Sequence, residues 1–127
     1  MIVLDTHTWI WWAADRQKLP RPLVQRLVKE DSLIISAISC WEVAMLVEKG
    51  RLVLRSGARA GIRALLSIPF LRVEPVTEQI AVNAGLLQLK HGDPADRLVL
   101  STADVLGLEL ATRDRALRSA SVKAIWD

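Results

Sequence analysis

The sequence has very little that could cross-link the chain or hold it in a membrane. Cys40 is its single cysteine among 127 residues, which excludes an internal disulfide and a metal site built from several cysteines. No apolar run approaches the roughly 20 residues that a membrane-spanning helix needs. The apolar start is cut at Asp5 and has no basic segment before it, unlike a signal peptide. We therefore expect one globular domain over residues 1–127, without a membrane, in the reducing cytoplasm.

Neither sign of charge dominates the composition. The chain has 17 Lys and Arg residues, 14 Asp and Glu residues and a formal net charge of +3, while 51% of its residues are hydrophobic. That hydrophobic content excludes a disordered protein. The mild basic excess leaves a polyanionic partner open. If four of the acids gather in one pocket, the remaining surface becomes clearly basic, which favours nucleic acid.

Short apolar segments alternate with helical patterns along the chain. Alternation of this kind predicts an α/β fold with a mainly parallel sheet. The predicted strands cover 1–4, 33–35, 71–76, 108–112 and 123–126. The predicted helices cover 6–14, 22–30, 38–48, 59–66, 78–89, 94–106 and, briefly, 115–118.

Four acids stand close to the predicted ends of strands or the starts of helices. Asp5 follows the first strand, Glu42 lies one turn into the helix after the second, and Asp114 follows the fourth. The carboxyl ends of parallel strands share one edge of a sheet, which is where ligands bind in open α/β folds. We expect these three acids at that edge. Asp96 joins them only if the helix 94–106 also begins there.

Carboxylates gathered in one place repel each other and raise each other's pKa, and a divalent cation is the usual relief. Nitrogen ligands are scarce, because His7 and His91 are the two histidines of the sequence. Oxygen ligands favour Mg²⁺ or Mn²⁺ over Zn²⁺. Such ions bridge phosphate oxygens and activate water, so the pattern indicates metal-dependent phosphodiester hydrolysis.

Each acid also has a purely structural interpretation, which stays open at this point. Ser39 and Glu42 have the spacing of a capping box, in which Ser39 would begin the helix. Asp93 can cap the helix that contains Asp96, and Asp114 can cap the short helix predicted after it. Asp5 is the hardest to explain this way, because a carboxylate directly after a buried strand is costly unless it is paired or solvated.

Four segments in this order are similar to the motifs of a known family. They are Val3–His7, Ile35–Ala44, His91–Leu98 and Ala111–Asp114. On these residues the sequence resembles the PIN-domain ribonucleases, and most closely the VapC-type toxins of bacterial and archaeal toxin–antitoxin pairs. The resemblance covers essentially the whole chain.

The resemblance implies a PIN-like three-layer fold, with about five mainly parallel strands flanked by helices. It implies a Mg²⁺- or Mn²⁺-dependent endoribonuclease that cuts RNA and so inhibits translation and growth. It transfers the catalytic and metal-binding acids onto Asp5, Glu42, Asp96 and Asp114, and it leaves Asp93 open between a ligand and a helix cap. It gives supporting roles to Thr6 and Thr112, whose hydroxyls would hold a water or the phosphate, although Thr6 can equally be a helix cap. It also gives one to Arg97, which would contact a phosphate or a neighbouring acid.

The resemblance also implies a homodimer and a cognate antitoxin whose peptide lies in a hydrophobic groove near the acids. Trp11 and Trp12 are hypothesised to belong to that groove or to an interface. Two alternatives come from other classes. A phosphoacceptor receiver domain would need an acid pair after the first strand and a lysine after the last, and neither is present. The other alternative is a non-catalytic binding protein with the PIN fold. A nuclease that cuts DNA and not RNA also remains open.

Overall fold

The computed structural model describes residues 1–89, 93–117 and 121–127. Within these ranges none of the helices combines the length and the apolar character needed to cross a membrane. The strands are β1 (Ile2–Leu4), β2 (Leu33–Ser36), β3 (Leu71–Glu74), β4 (Leu110–Ala111) and β5 (Ala124–Ile125). The α-helices are α1 (Thr6–Ala14), α2 (Arg21–Leu27), α3 (Ala37–Glu48), α4 (Ala58–Leu66), α5 (Glu78–Leu86) and α6 (Pro94–Leu106), and a 3₁₀ turn covers Arg16–Lys18.

The five strands form one parallel sheet in the order β3-β2-β1-β4-β5. The chain builds β2 and β3 on one side of β1 and then adds β4 and β5 on the other side. The direction of strand addition therefore reverses between β1 and β4, and ligands of open α/β sheets bind at the carboxyl end of such a reversal. This arrangement confirms the predicted α/β class and the mainly parallel sheet.

Helices cover both faces of the sheet, as the alternation of side chains along β1 requires. Ile2 and Leu4 lie in a core with Trp9 of α1 and Leu27 of α2. Val3 points to the other face, where a second core contains Leu100 and other residues of α6. β1 is buried on both faces, which explains why its three residues are all apolar.

Several predicted boundaries differ from the structure. α2 ends at Leu27 and not at residue 30, because the amides of Lys29 and Glu30 bond to carbonyls three residues back and tighten the chain into a turn before β2. α5 ends at Leu86 and not at residue 89, since Leu87 is already extended. The helix predicted over 115–118 is wrong for 115–117, which form a turn. Residue 118 and the first two residues of the predicted turn 91–94 lie outside the described residues.

Candidate active site

Asp5 lies at the carboxyl end of β1, next to the point where strand addition reverses. One carboxylate oxygen, Oδ1, accepts a hydrogen bond from the amide of Thr8 at 2.9 Å, so Asp5 is the N-cap of α1. The other oxygen, Oδ2, accepts a hydrogen bond from the hydroxyl of Thr112, directly after β4. A carboxylate has about four lone-pair sites. Two of them are used here, so Asp5 is held in place and can still bind a further ligand.

Asp114 is fixed through the same threonine. The hydroxyl of Thr112 accepts a hydrogen bond from the amide of Asp114 at 3.0 Å. The carboxylate of Asp114 accepts from the amide of Ala116 at 2.9 Å and is otherwise exposed. Thr112 is buried, so one threonine holds two predicted site acids. Asp5 and Asp114 line one pocket of about 360 Å³, together with His7, Trp11 and Arg113.

Glu42 is held by a chain of hydroxyls, and the capping-box interpretation of this residue is wrong. The N-cap of α3 is Ser36, whose side chain accepts from the amide of Ile38 at 3.2 Å. Ser39 lies inside the helix, is buried, and contacts the hydroxyl of Thr6 at 2.9 Å. The hydroxyl of Thr6 also bonds to Oε1 of Glu42. An ionised carboxylate can only accept, so Thr6 donates to Glu42, which is therefore oriented without capping the helix.

Asp93 directly precedes α6, and Asp96 lies in the first turn of this helix. The carboxylate of Asp93 accepts from the amides of Ala95 at 2.9 Å and Asp96 at 3.4 Å, which confirms its predicted role as the cap. α6 packs against β1 and β2 and is joined to the amino end of β4 by only three residues, 107–109. The end of α6 is therefore at the amino edge of the sheet, and its start, with Asp96, is at the carboxyl edge.

The donors suit a hard cation, but they do not form a closed metal site. Within residues 1–89, 93–117 and 121–127, no three acidic, histidine or cysteine side chains are close enough to hold one ion together. His91 lies outside these ranges. The structure thus brings Asp5 and Asp114 into one pocket. It orients Glu42 through Thr6 and places Asp96 at the start of α6. Carboxylate oxygens are the ligands that Mg²⁺ and Mn²⁺ prefer, so the chemistry of the donors fits these ions.

Arg97 and the tryptophans differ in part from the predictions. The guanidinium of Arg97 donates two hydrogen bonds, both of 3.1 Å, to the carbonyl of Leu87, so it joins α6 to the end of α5. Trp12 is 6% exposed and lies in the core, and its predicted place in a groove is therefore wrong. Trp11 is half-buried and contacts the rings of His7 and Trp126, with centroids 5.7 and 6.0 Å away. Its predicted role in binding a partner stays a prediction.

Two residues of the site were missed in the sequence. The sequence pattern predicts Ser39 to be a helix cap. Its position one turn before Glu42, on the same face of the helix, was the signal that both side chains contact the same neighbouring element. Arg113 is not among the predicted site residues, although it directly precedes Asp114 in the loop after β4. A cation beside a carboxylate at this edge of a sheet is a candidate for contact with a phosphate.

Comparisons with known proteins agree with this geometry. The PIN domain family model matches residues 2–123. Ribonuclease VapC22 of Mycobacterium tuberculosis (strain ATCC 25618 / H37Rv) is 36% identical over 119 residues, which are 93% of this chain and 90% of that protein. The structure of VapBC2 from Rickettsia felis bound to a DNA fragment from their promoter has 20% identity, covers 100% of both chains and has a TM-score of 0.75. The structure of FitAcB from Neisseria gonorrhoeae has 25% identity, covers 98% and 96% of the two chains and has a TM-score of 0.68. The chain therefore belongs to the PIN domain family.

Proposed function

We propose that this chain is a metal-dependent endoribonuclease and the toxin of a toxin–antitoxin pair, acting as a single domain in the cytoplasm. The observation that carries the proposal is the pairing of Asp5 and Asp114 in one pocket at the carboxyl edge, both held by Thr112. The likeness to a protein named ribonuclease supports RNA as the substrate. This chain shares its fold with a chain of a solved toxin–antitoxin complex from Klebsiella pneumoniae, which is consistent with the biological role.

PIN-domain ribonucleases of the VapC type generally depend on a divalent metal. Here Asp5 and Asp114 would hold the cation, with Glu42 and Asp96 as further oxygen ligands. Because these ligands are all carboxylates, Mg²⁺ or Mn²⁺ is the proposed ion. When bound, the ion would activate water and neutralise charge that develops on the phosphate during hydrolysis.

The residues of the chain prepare this site before any ion binds. Thr112 fixes the plane of the Asp5 carboxylate, and the Thr8 amide fixes its second oxygen. Thr6 does the same for Glu42. Side chains that are already oriented lose little freedom when a ligand binds, which favours both affinity and a productive geometry. Asp93 acts as the cap of α6 and sets the position of Asp96.

Protein partners follow from the same proposal. The cognate antitoxin would cover the pocket with a peptide that contacts Trp11, the half-buried tryptophan on its wall. A homodimer is the proposed assembly. A non-catalytic binding protein with the same fold is the alternative. It would not cleave RNA, so a cleavage assay distinguishes it from the nuclease.

Cleavage of RNA by the purified protein tests the proposal. Wild type is compared with Asp96→Asn in Mg²⁺, in Mn²⁺ and in EDTA. The matched control is Asp31→Asn, an exposed acid in the turn before β2 and thus at the opposite edge of the sheet. We expect cleavage by the wild type and by the control, with loss of cleavage in EDTA and in Asp96→Asn. Equal cleavage by Asp96→Asn and the wild type would refute the assignment of Asp96 to the active site. Cleavage in EDTA would refute the dependence on a divalent metal.

A further inference from the structure

We call the pocket lined by Asp5 and Asp114 the acidic pocket, and a second pocket adjoins it along the edge strand β5. Its volume is about 400 Å³, and its walls come from α2, from the loop after β4 and from β5 itself. Arg113 and Asp114 line both pockets, so the two form one continuous surface. We call this second space the cationic pocket, because its lining has four basic side chains and only two acidic ones, Asp114 and Asp127. The basic residues are Arg26, Arg113, Arg115 and Lys123.

The basic residues of the cationic pocket are not equally available. Arg26 bonds to Glu109 and lies 3.3 Å from Glu30, and Lys123 lies 3.6 Å from the same Glu109. These two cations are therefore largely neutralised by neighbouring carboxylates. Arg113 and Arg115 are exposed and form no ion pair with any other residue of the described ranges. Their charge is free to meet an external anion.

The position of Arg113 and Arg115 beside the acidic pocket indicates which anion they would bind. Asp114 lies between them in the sequence and lines the acidic pocket together with Asp5. An RNA strand whose phosphate is cut beside Asp5 and Asp114 must place its neighbouring phosphates on an adjoining surface. The cationic pocket is such a surface, and guanidinium groups bind phosphate oxygens well because their fork geometry matches them.

We propose that the cationic pocket binds phosphates of the RNA strand next to the cleaved bond, with Arg113 and Arg115 as positioning residues. The proposal rests on the proposed ribonuclease function and deepens it. Trp126 forms part of the pocket wall and contacts Trp11 on the wall of the acidic pocket. The two rings thus link the pockets and offer an apolar surface to the sugars and bases between the phosphates.

Binding in the absence of metal separates this proposal from catalysis. The probe is a short fluorescein-labelled single-stranded RNA, and the affinity is measured by fluorescence anisotropy in EDTA over a series of salt concentrations. Wild type is compared with Arg115→Gln and Arg115→Lys. The control, Arg72→Gln, removes an equal charge from β3, the outer strand on the other side of the sheet from β5. Neighbouring strands are about 4.8 Å apart, so β3 is roughly 19 Å from β5.

Each phosphate contact on a single strand adds about −0.7 to the slope of log Kobs against log salt, so losing one weakens binding about fivefold at 0.1 M salt. We expect that loss and a slope lowered by about 0.7 for Arg115→Gln. We expect near-wild-type slopes for Arg115→Lys and Arg72→Gln. Equal affinity and slope for Arg115→Gln and Arg72→Gln would overturn the pocket's role. If the wild type still cleaves RNA in that case, the ribonuclease proposal stands and only the phosphate site fails.

Discussion

Thr112→Val removes the hydroxyl that joins the two acids of the pocket without changing the volume of the side chain. Thr112 is 4% exposed, donates to Asp5 and accepts from the amide of Asp114. A hydrogen bond to a charged group contributes about 1.5–3 kcal/mol to stability. Valine fills the same space, so no cavity adds to the cost. We expect a loss of about 2 kcal/mol in the free energy of unfolding.

Urea denaturation in EDTA measures that loss, and a cleavage assay measures its effect on function. Asp5 would no longer be held at the angle set by the hydroxyl, and a misplaced catalytic group can cost about 100-fold in rate. We expect a cleavage rate lowered at least about tenfold for Thr112→Val, and largely restored in Thr112→Ser. The control is Thr102→Val, a buried threonine whose hydroxyl bonds to the Leu98 carbonyl within α6.

The control should lose less stability, because a bond from a threonine to the carbonyl four residues back contributes little to a helix. Two results would refute the reasoning. One is equal stability of Thr112→Val and Thr102→Val. The other is wild-type cleavage by Thr112→Val, which would mean that the orientation of Asp5 does not depend on this hydroxyl.

Two further predictions concern Asp93 and Glu30. Asp93→Ala should lower the free energy of unfolding by about 1 kcal/mol through loss of the α6 cap, whereas Asp93→Asn should keep both stability and cleavage. A strong loss of cleavage in Asp93→Asn would make this residue a metal ligand. The hydrogen bond from the N-terminal ammonium, assisted by Arg26, lowers the pKa of the Glu30 carboxyl. That pairing stabilises the fold above the carboxyl's ordinary pKa and is lost as pH falls through the lowered one. The stability difference between wild type and Glu30→Gln should therefore shrink in acid, and a constant difference in urea titrations from neutral to acid pH would contradict this.

Local patterns in the sequence predicted the parts of the fold that depend on local chemistry. An apolar segment ending in Asp5 predicted both the central strand and its acid, because few other environments suit that order of residues. Asp93, Pro94 and Gly107 marked the two ends of α6, since cap, first-turn proline and left-handed glycine each have a specific place. The structure confirms the helix over 94–106 to the residue, and it confirms the first strand with a start one residue later than predicted.

Features that depend on distant contacts were not predictable in the same way. The bond between Thr112 and Asp5 spans 107 positions, and only the order of strands brings the two together. The sequence left the start of α6 ambiguous between the two edges of the sheet. The three-residue connection from its end to the amino end of β4 places its start at the carboxyl edge. Trp11 and Trp12 are adjacent, so helical spacing alone did not show which ring enters the core. The capping-box pattern placed the cap of α3 at Ser39, whereas β2 runs directly into the helix and Ser36, its last residue, is the cap.

Binding of Mn²⁺ to the purified protein is the most direct test of the claim that the acids at the carboxyl edge form one metal site. Isothermal titration calorimetry would compare wild type, Asp5→Asn and the control Asp31→Asn, with Mg²⁺ as a competitor. Asparagine at position 5 can still cap α1, so the variant should keep its fold, as circular dichroism would verify. The account predicts saturable binding that Mg²⁺ displaces, retained in Asp31→Asn and weakened at least about tenfold in Asp5→Asn, since a lost ligand removes at least about 1.4 kcal/mol of binding free energy. Folded Asp5→Asn that binds Mn²⁺ as tightly as the wild type would contradict it.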